Sequence, residues 1–309
     1  MSDEIKANRD IAERYAKAVG AMDSEALVGL FHPDVVFEML GTTPVSGRFA
    51  GRDRCLREVF GPVVGALVPG TFSFAREWVV AVADAHGAVL VTRADGDTTS
   101  GGRYEQVYFM ALTITDGKIV KLEAAYDTAH VQEAIFGDRL TQPRPRPEFR
   151  LPPELGPRES GDDAVDVARE YYAALAAGDT ERWVAVHAPD VVFDLPGTLP
   201  VSGHHEGVQA CLEGVVQPFL GTFDPDQVRF GERYRILCAD DRRVAALMRG
   251  GGPTTAGGTA DVIFVQIFTV AGGRIVHMHE QLDTAHIEDA CYGNPLRDRR
   301  ATTSGGLDV

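Results

Sequence analysis

Asp34–Gly51 reads DVVFEMLGTTPVSGRFAG, and Asp190–Gly207 reads DVVFDLPGTLPVSGHHEG. The second stretch follows the first by 156 residues (Glu38 to Asp194). The offset still holds where Tyr126-Asp127-Thr128-Ala129-His130 meets Leu282-Asp283-Thr284-Ala285-His286, with no gap between. A unit this long is a duplicated domain, whereas solenoid repeats recur every few tens of residues. Each copy sets one acidic residue, Glu38 or Asp194, into an apolar strand just ahead of a Gly/Pro turn. Those carboxylates are the first candidates for chemistry.

The 309 residues then divide into a first domain at 1–140, a Pro-rich linker at 141–162, a second domain at 163–300 and a disordered tail at 301–309. Thr141–Ser160 holds six prolines among charged residues, the composition of a semi-rigid exposed spacer. Each domain has chain enough for a core without disulfides or metals. The net charge of −15 argues against nucleic acid and anionic membranes as partners, because both require a basic face. No stretch is long and apolar enough to span a bilayer, and the N-terminal MSDEIKANRD lacks the apolar core of a signal peptide. A cytoplasmic location is the expectation. Cys55 and Cys211 occupy equivalent positions, and no C-x-x-C pair suggests zinc or dithiol chemistry.

Apolar spacing predicts helices over Asn8–Ala21, Glu25–Phe31 and Arg52–Val64, with a short strand Val35–Leu40 between the second and third. Four strands follow, Phe72–Ala83, Ala88–Arg93, Tyr104–Thr115 and Lys118–Tyr126, separated by turn residues. The second copy repeats this order. The result is an α+β domain with helices covering one face of a curved antiparallel sheet.

Arg14-Tyr15 on the first helix, Asp23 ahead of the second, V-F-E before G-T-T-P-V-S-G and the closing D-G-K-I-V strand carry a family resemblance. They resemble the ketosteroid isomerase and SnoaL-like branch of the NTF2-like superfamily, twice over nearly the whole chain. The resemblance implies two cone-shaped α+β barrels, each a curved sheet around a helix with an apolar pocket inside. It implies a general base at Glu38 and Asp194, and an oxyanion-stabilising tyrosine at Tyr15 and Tyr171. The isomerase's second acid would fall near Met110 and Gln266, and neither is acidic.

Val89, Val91, Arg93 and Asp95 share one strand face, and the copy supplies Ala245, Leu247, Arg249 and Gly251. An arginine on an otherwise apolar face calls for a buried acid or an anionic ligand. The T-R-A-D run resembles the Arg-x-Asp of limonene-type epoxide hydrolases, in which an arginine bridges two carboxylates. The second carboxylate would fall at Ala124 and at Glu280, so neither copy holds the full triad. Glu280 stands in the row Val276, Met278, Glu280, Leu282, and one acid in an apolar row indicates a pocket. Asp127 and Asp283 close the last strands. They read first as N-caps of a terminal helix, with a proton-shuttling role as the alternative that SnoaL-like cyclases imply. His277-x-His279 has a spacing that admits metal, yet the counterparts Lys121 and Glu123 assign that row to a solvated outer face, so no metal is assigned.

The sequence reading is therefore two fused NTF2-like cones packed as an intramolecular pseudo-dimer, each with a pocket for a hydrophobic small molecule, and with a further homo-oligomer left open. The expected function is cofactor-independent isomerisation or polyketide- or terpenoid-type cyclisation. Epoxide opening and non-catalytic binding or scaffolding stand as alternatives. The expected machinery is Asp194 or Glu38 as base, Tyr171 or Tyr15 as donor and Arg249 or Arg93 as orienter. The second copy, combining Asp194, Arg249 and Glu280, is the better catalyst.

Overall fold

The computed structural model describes residues 2–147, 149–153 and 163–298. The chain divides into two compact units of the same architecture. In the first, helix Asp3–Ala21 starts at Ser2, whose side chain accepts from the Ile5 amide, and stops at Met22 in the left-handed region. Its buried stripe includes Ile11, Tyr15 and Val19, spaced one helical turn apart. Helix Ser24–Leu30 is capped by the Asp23 side chain, which accepts from the Ala26 amide.

Six strands follow: β1 Phe31–Met39, β2 Gly47–Ala50, β3 Ser73–Ala83, β4 Gly87–Asp97, β5 Arg103–Thr115 and β6 Lys118–Tyr126. The second unit repeats them as β7 His187–Leu195, β8 Gly203–Glu206, β9 Arg229–Ala239, β10 Arg243–Pro253, β11 Thr259–Ala271 and β12 Arg274–Leu282. The sheet orders match, β2-β1-β6-β5-β4-β3 and β8-β7-β12-β11-β10-β9. Helices Ala164–Ala177 and Thr180–Val186 repeat the opening pair. Every strand therefore returns at the offset read in the sequence.

Two features depart from the expected outline. The sheet is antiparallel except between β1 and β6, and between β7 and β12, which run parallel. After the β1–β2 hairpin the chain crosses through the third helix to the far edge of the sheet. It then returns by a meander that lays the last strand beside the first in the same direction. The third helix itself is interrupted by a π turn, Leu56–Phe60 in one unit and Leu212–Val216 in the other. Such a turn shifts which side chains face inward. Both Val215 and Val216 line the second unit's cavity as a result.

The segment expected to be an exposed linker begins as packed chain. Leu140 bridges Leu296, the Thr141 amide donates to Pro295 O at 2.9 Å, and Arg144 Nε meets buried Glu288 at 3.0 Å. Phe149 is buried, its ring 5.8 Å from that of His279. Prolines remove donors but leave such side-chain anchors intact. Residues 154–162 of that linker and the expected tail at 301–309 lie outside the described residues. All four cysteines are buried and unbridged, and no helix among the described residues is long and apolar enough to cross a membrane.

Strand alternation gives each sheet one face toward its helices and one away from them. On β1 the inward residues include Phe37 and Met39, and on β7 Phe193 and Leu195. On β10 they include Val244, Ala246 and Met248. The acid between each inward pair on β1 and β7 necessarily points the other way.

Candidate active site

In the second unit, cross-strand pairing sets Ala246, Gln266 and Glu280 side by side on β10, β11 and β12. This row faces the helices, and its Glu280 lines a cavity of about 530 Å³, the mouth included. The wall is apolar, with Phe193, Leu195, Phe264, Met278 and Leu282 from the sheet and Val215 and Phe219 from the third helix. Tyr171 and Glu280 bring the polar groups.

Glu280 is 7% exposed. Gln266 Nε2 donates to its Oε2 at 2.6 Å and to the Tyr171 hydroxyl at 3.3 Å, while Tyr172 OH donates to Gln266 Oε1 at 2.8 Å. The Gln266 amide is thereby held at both ends. Burial pushes the Glu280 carboxyl from an ordinary 4.5 up to about 7, against the weaker opposing effect of the Gln266 hydrogen bond. Burial, followed by the nearby Glu280 charge, drives the Tyr171 phenol well above its usual range, so it stays a neutral donor. A carboxyl that trades its proton near neutrality, beside a neutral hydroxyl in an apolar wall, can move a proton on a bound organic molecule.

The equivalent cavity of the first unit, about 580 Å³ with its mouth, is lined by Tyr15, Phe37, Met39, Met110, Ala124 and Tyr126 among others. Met110 and Ala124 pair across β5 and β6 where Gln266 and Glu280 pair in the copy. Tyr15 OH donates to the Met110 sulfur, at 3.6 Å. Tyr126 OH instead bonds Thr43 and Ser46 of the Gly/Pro turn, each at 3.0 Å.

Of the residues singled out in the sequence, Glu280, Tyr171 and Tyr15 line cavities, and the rest are elsewhere. Glu38 and Asp194 do not enter the pockets, because Phe37 and Met39, or Phe193 and Leu195, hold the inward positions on either side. Glu38 meets Lys121 Nζ at 2.8 Å and Arg48 Nε at 3.3 Å on the outer face. Arg93 and Arg249 are also outward. Arg93 pairs with Glu77 at 3.3 Å, and Arg249 Nε with Asp261 at 2.8 Å. Asp95 takes Arg76 at 2.8 Å and Arg103 at 2.7 Å. Among the described residues no arginine lines either cavity, so the arginine-bridged acid pair expected for epoxide opening is not assembled there. Asp127 and Asp283 cap the terminal helices, accepting from the His130 amide at 3.1 Å and the His286 amide at 3.2 Å. The expected constellation of Asp194, Arg249 and Glu280 is thus split between two faces of one sheet. Gln266, passed over for lacking an acid, is the centre of the polar row. Its signal was the joint change of Met110 to Gln266 and Ala124 to Glu280 between copies.

Asp194 sits in a second polar cluster, on the outer face. Its Oδ1 is 2.7 Å from His204 Nδ1, and its Oδ2 is 2.6 Å from His277 Nε2 and 3.4 Å from His279 Nε2. Burial opposes ionisation of Asp194, but the bonds from His277 and His204 outweigh it and hold the carboxyl below the usual range.

The model of the SnoaL-like domain family matches residues 12–122 and again 168–278. The chain belongs to that family, as a tandem pair of NTF2-like cones. An uncharacterized protein of Mycobacterium tuberculosis is 33% identical over 123 residues, 38% of this chain and 88% of its own length. A Mycobacterium bovis protein matches with the same figures of 33%, 38% and 88%. Among solved structures, an NTF2-like protein from Burkholderia xenovorans is 22% identical with a TM-score of 0.36, covering 43% of this chain and 99% of that one. A protein with a cystatin-like fold from Xanthomonas campestris is 24% identical with a TM-score of 0.32, covering 42% and 97%.

Proposed function

We propose that the second domain is an acid/base isomerase or cyclase acting on a hydrophobic small molecule, with Glu280 as the group that takes and returns the proton. One observation carries this reading. A carboxyl lies buried at the wall of an apolar cavity, held by a neutral amide and with no cation against it among the described residues. Carboxylates kept only for structure are normally paired with a cation or set on backbone amides. Tyr171 donates to the oxygen on which negative charge develops, and the apolar wall excludes water. The first domain, with Met110 and Ala124 in place of the amide and acid, holds an apolar ligand without turning it over.

Deuterium uptake at the α-carbon of a panel of hydrophobic enones and ketones in D₂O tests the reading by NMR. The wild type exchanges these positions, and Glu280→Gln slows exchange about a hundredfold or more, the usual scale for a general base. Tyr171→Phe slows it by a comparable factor, as loss of one oxyanion donor does. Equal rates for wild type and Glu280→Gln would remove Glu280 from the chemistry.

A further inference from the structure

The outer cluster of the second domain gathers three imidazoles around the Asp194 carboxylate. His279 is fully buried, and neither of its ring nitrogens has a hydrogen-bond partner among the described residues. Leaving a buried polar group unsatisfied costs about 1–3 kcal/mol, so such a group calls for a partner. An imidazole ring nitrogen is a common ligand for a transition metal.

The strand register explains how the donors converge. Asp194 on β7 pairs with His279 on β12 and with His204 on β8. His277 lies two residues before His279 and so on the same face, the two rings stacked with centroids 4.0 Å apart. One donor atom from each of Asp194, His277 and His279 lies within 4.8 Å of the others. Ligands bound at the usual 2.0–2.2 Å around a tetrahedral metal stand about 3.3 Å apart. His279 Nε2 is already 3.4 Å from Asp194 Oδ2, and His277 Nε2, at 2.6 Å, needs a small retreat.

We propose that Asp194, His277 and His279 bind one divalent first-row transition metal, Zn²⁺ being the simplest case. His204, on the other carboxylate oxygen, orients Asp194 as a supporting partner. Two imidazoles and a carboxylate are a ligand set for Zn²⁺, Co²⁺, Ni²⁺ or Cu²⁺ and not for the hard cations, which want oxygen alone. Charges nearby point the same way. Buried Arg243 bonds Thr269, the cross-strand partner of His277, and Arg150 and Glu206 both face His204 Nε2, at 3.3 and 2.8 Å. Arg243 and Arg150 weaken a purely electrostatic cation and leave one that bonds imidazole nitrogen. On binding, His277 Nε2 exchanges its hydrogen bond to Asp194 for the metal. Glu280 faces the opposite side of β12, so the site is separate from the cavity.

The test uses untagged, chelator-treated full-length protein, with Zn²⁺ followed by calorimetry and Co²⁺ by its visible absorption. The wild type takes up one equivalent of each, and its thermal midpoint rises with the metal. His277→Ala, at a partly exposed position, and Asp194→Asn lose this binding, whereas His204→Gln weakens it about 10–100-fold, as loss of a supporting partner does. Far-UV circular dichroism shows that the variants remain folded. No uptake of excess Zn²⁺ or Co²⁺ by the wild type overturns the proposal. So does unchanged affinity in folded His277→Ala.

Discussion

The two domains share a backbone plan and differ at two sets of facing positions. On the outer face, Glu38, Arg48, Lys121 and Glu123 of the first become Asp194, His204, His277 and His279 of the second. In the first domain Lys121 bridges both acids, at 2.8 and 3.1 Å, and Arg48 closes on Glu38 at 3.3 Å. Two acids meet two cations, and the charges balance. In the second, one carboxylate faces three imidazoles. On the inner face, Met110 and Ala124 become Gln266 and Glu280. The members of each set are neighbours across strands, so a change at one alters the surroundings of the others. The two sets lie on opposite sides of one sheet.

Transplanting one half of the inner pair tests this coupling most severely. Ala124→Glu places a carboxyl at a site 1% exposed and beside Met110 instead of an amide. It should destabilise the first domain by about 3 kcal/mol or more in urea unfolding at pH 8, the scale of burying an unpaired charge. Adding Met110→Gln should recover part of that loss. Equal stability of the single and double variants would break the claim that amide and acid work as a pair.

The second domain should carry a matching pH signature. Glu280 titrates near 7 when folded and near 4.5 when unfolded. Between those values the folded state keeps a proton that the unfolded chain releases. The contribution to stability is therefore complete below about pH 4.5, falls as pH rises, and is gone above about 7. A shift of this size corresponds to about 3 kcal/mol. Urea unfolding with chelator present should show wild type losing that much relative to Glu280→Gln between pH 4.5 and 7.5. A constant difference between the two proteins would mean the carboxyl is solvated.

The smallest effect belongs to the arginines that the sequence placed in the pockets. Arg93→Ala and Arg249→Ala should each cost under about 1 kcal/mol, because both pair with solvent-exposed acids. Exchange of the ketone panel should be unchanged. A hundredfold loss from Arg249→Ala would return it to the active site.

The pocket role of Glu280 was legible because one acid interrupted an otherwise apolar row, and that pattern survives without knowing which strand lies next to which. Glu38, Asp194, Arg93 and Arg249 were misplaced for the complementary reason. Val89 and Val91 on the outer face of β4 are buried, as is Leu90 on the inner face, so alternation along the strand separates the two faces without saying which is inward. That decision needs the cross-strand register, in which Met278 lies beside Phe193 and His279 beside Asp194. His277 and His279 were noticed in the sequence. Only the fold brings them to Asp194, 83 residues away from His277 in the chain.

The sequence by itself determined the duplication, its offset, the α+β class, the helix caps at Asp127 and Asp283, and the family. These rest on local propensity, on turn chemistry and on comparing a chain with itself, none of which requires distant contacts. Tertiary structure alone decided that β1 runs parallel to β6, that the opening of the linker packs on the second domain, and that Glu280 and Asp194 serve opposite faces of one sheet. Facing direction is a property of strand pairing. One residue of register turns a side chain from cavity to outer surface, and pairing is set by contacts between residues far apart in sequence.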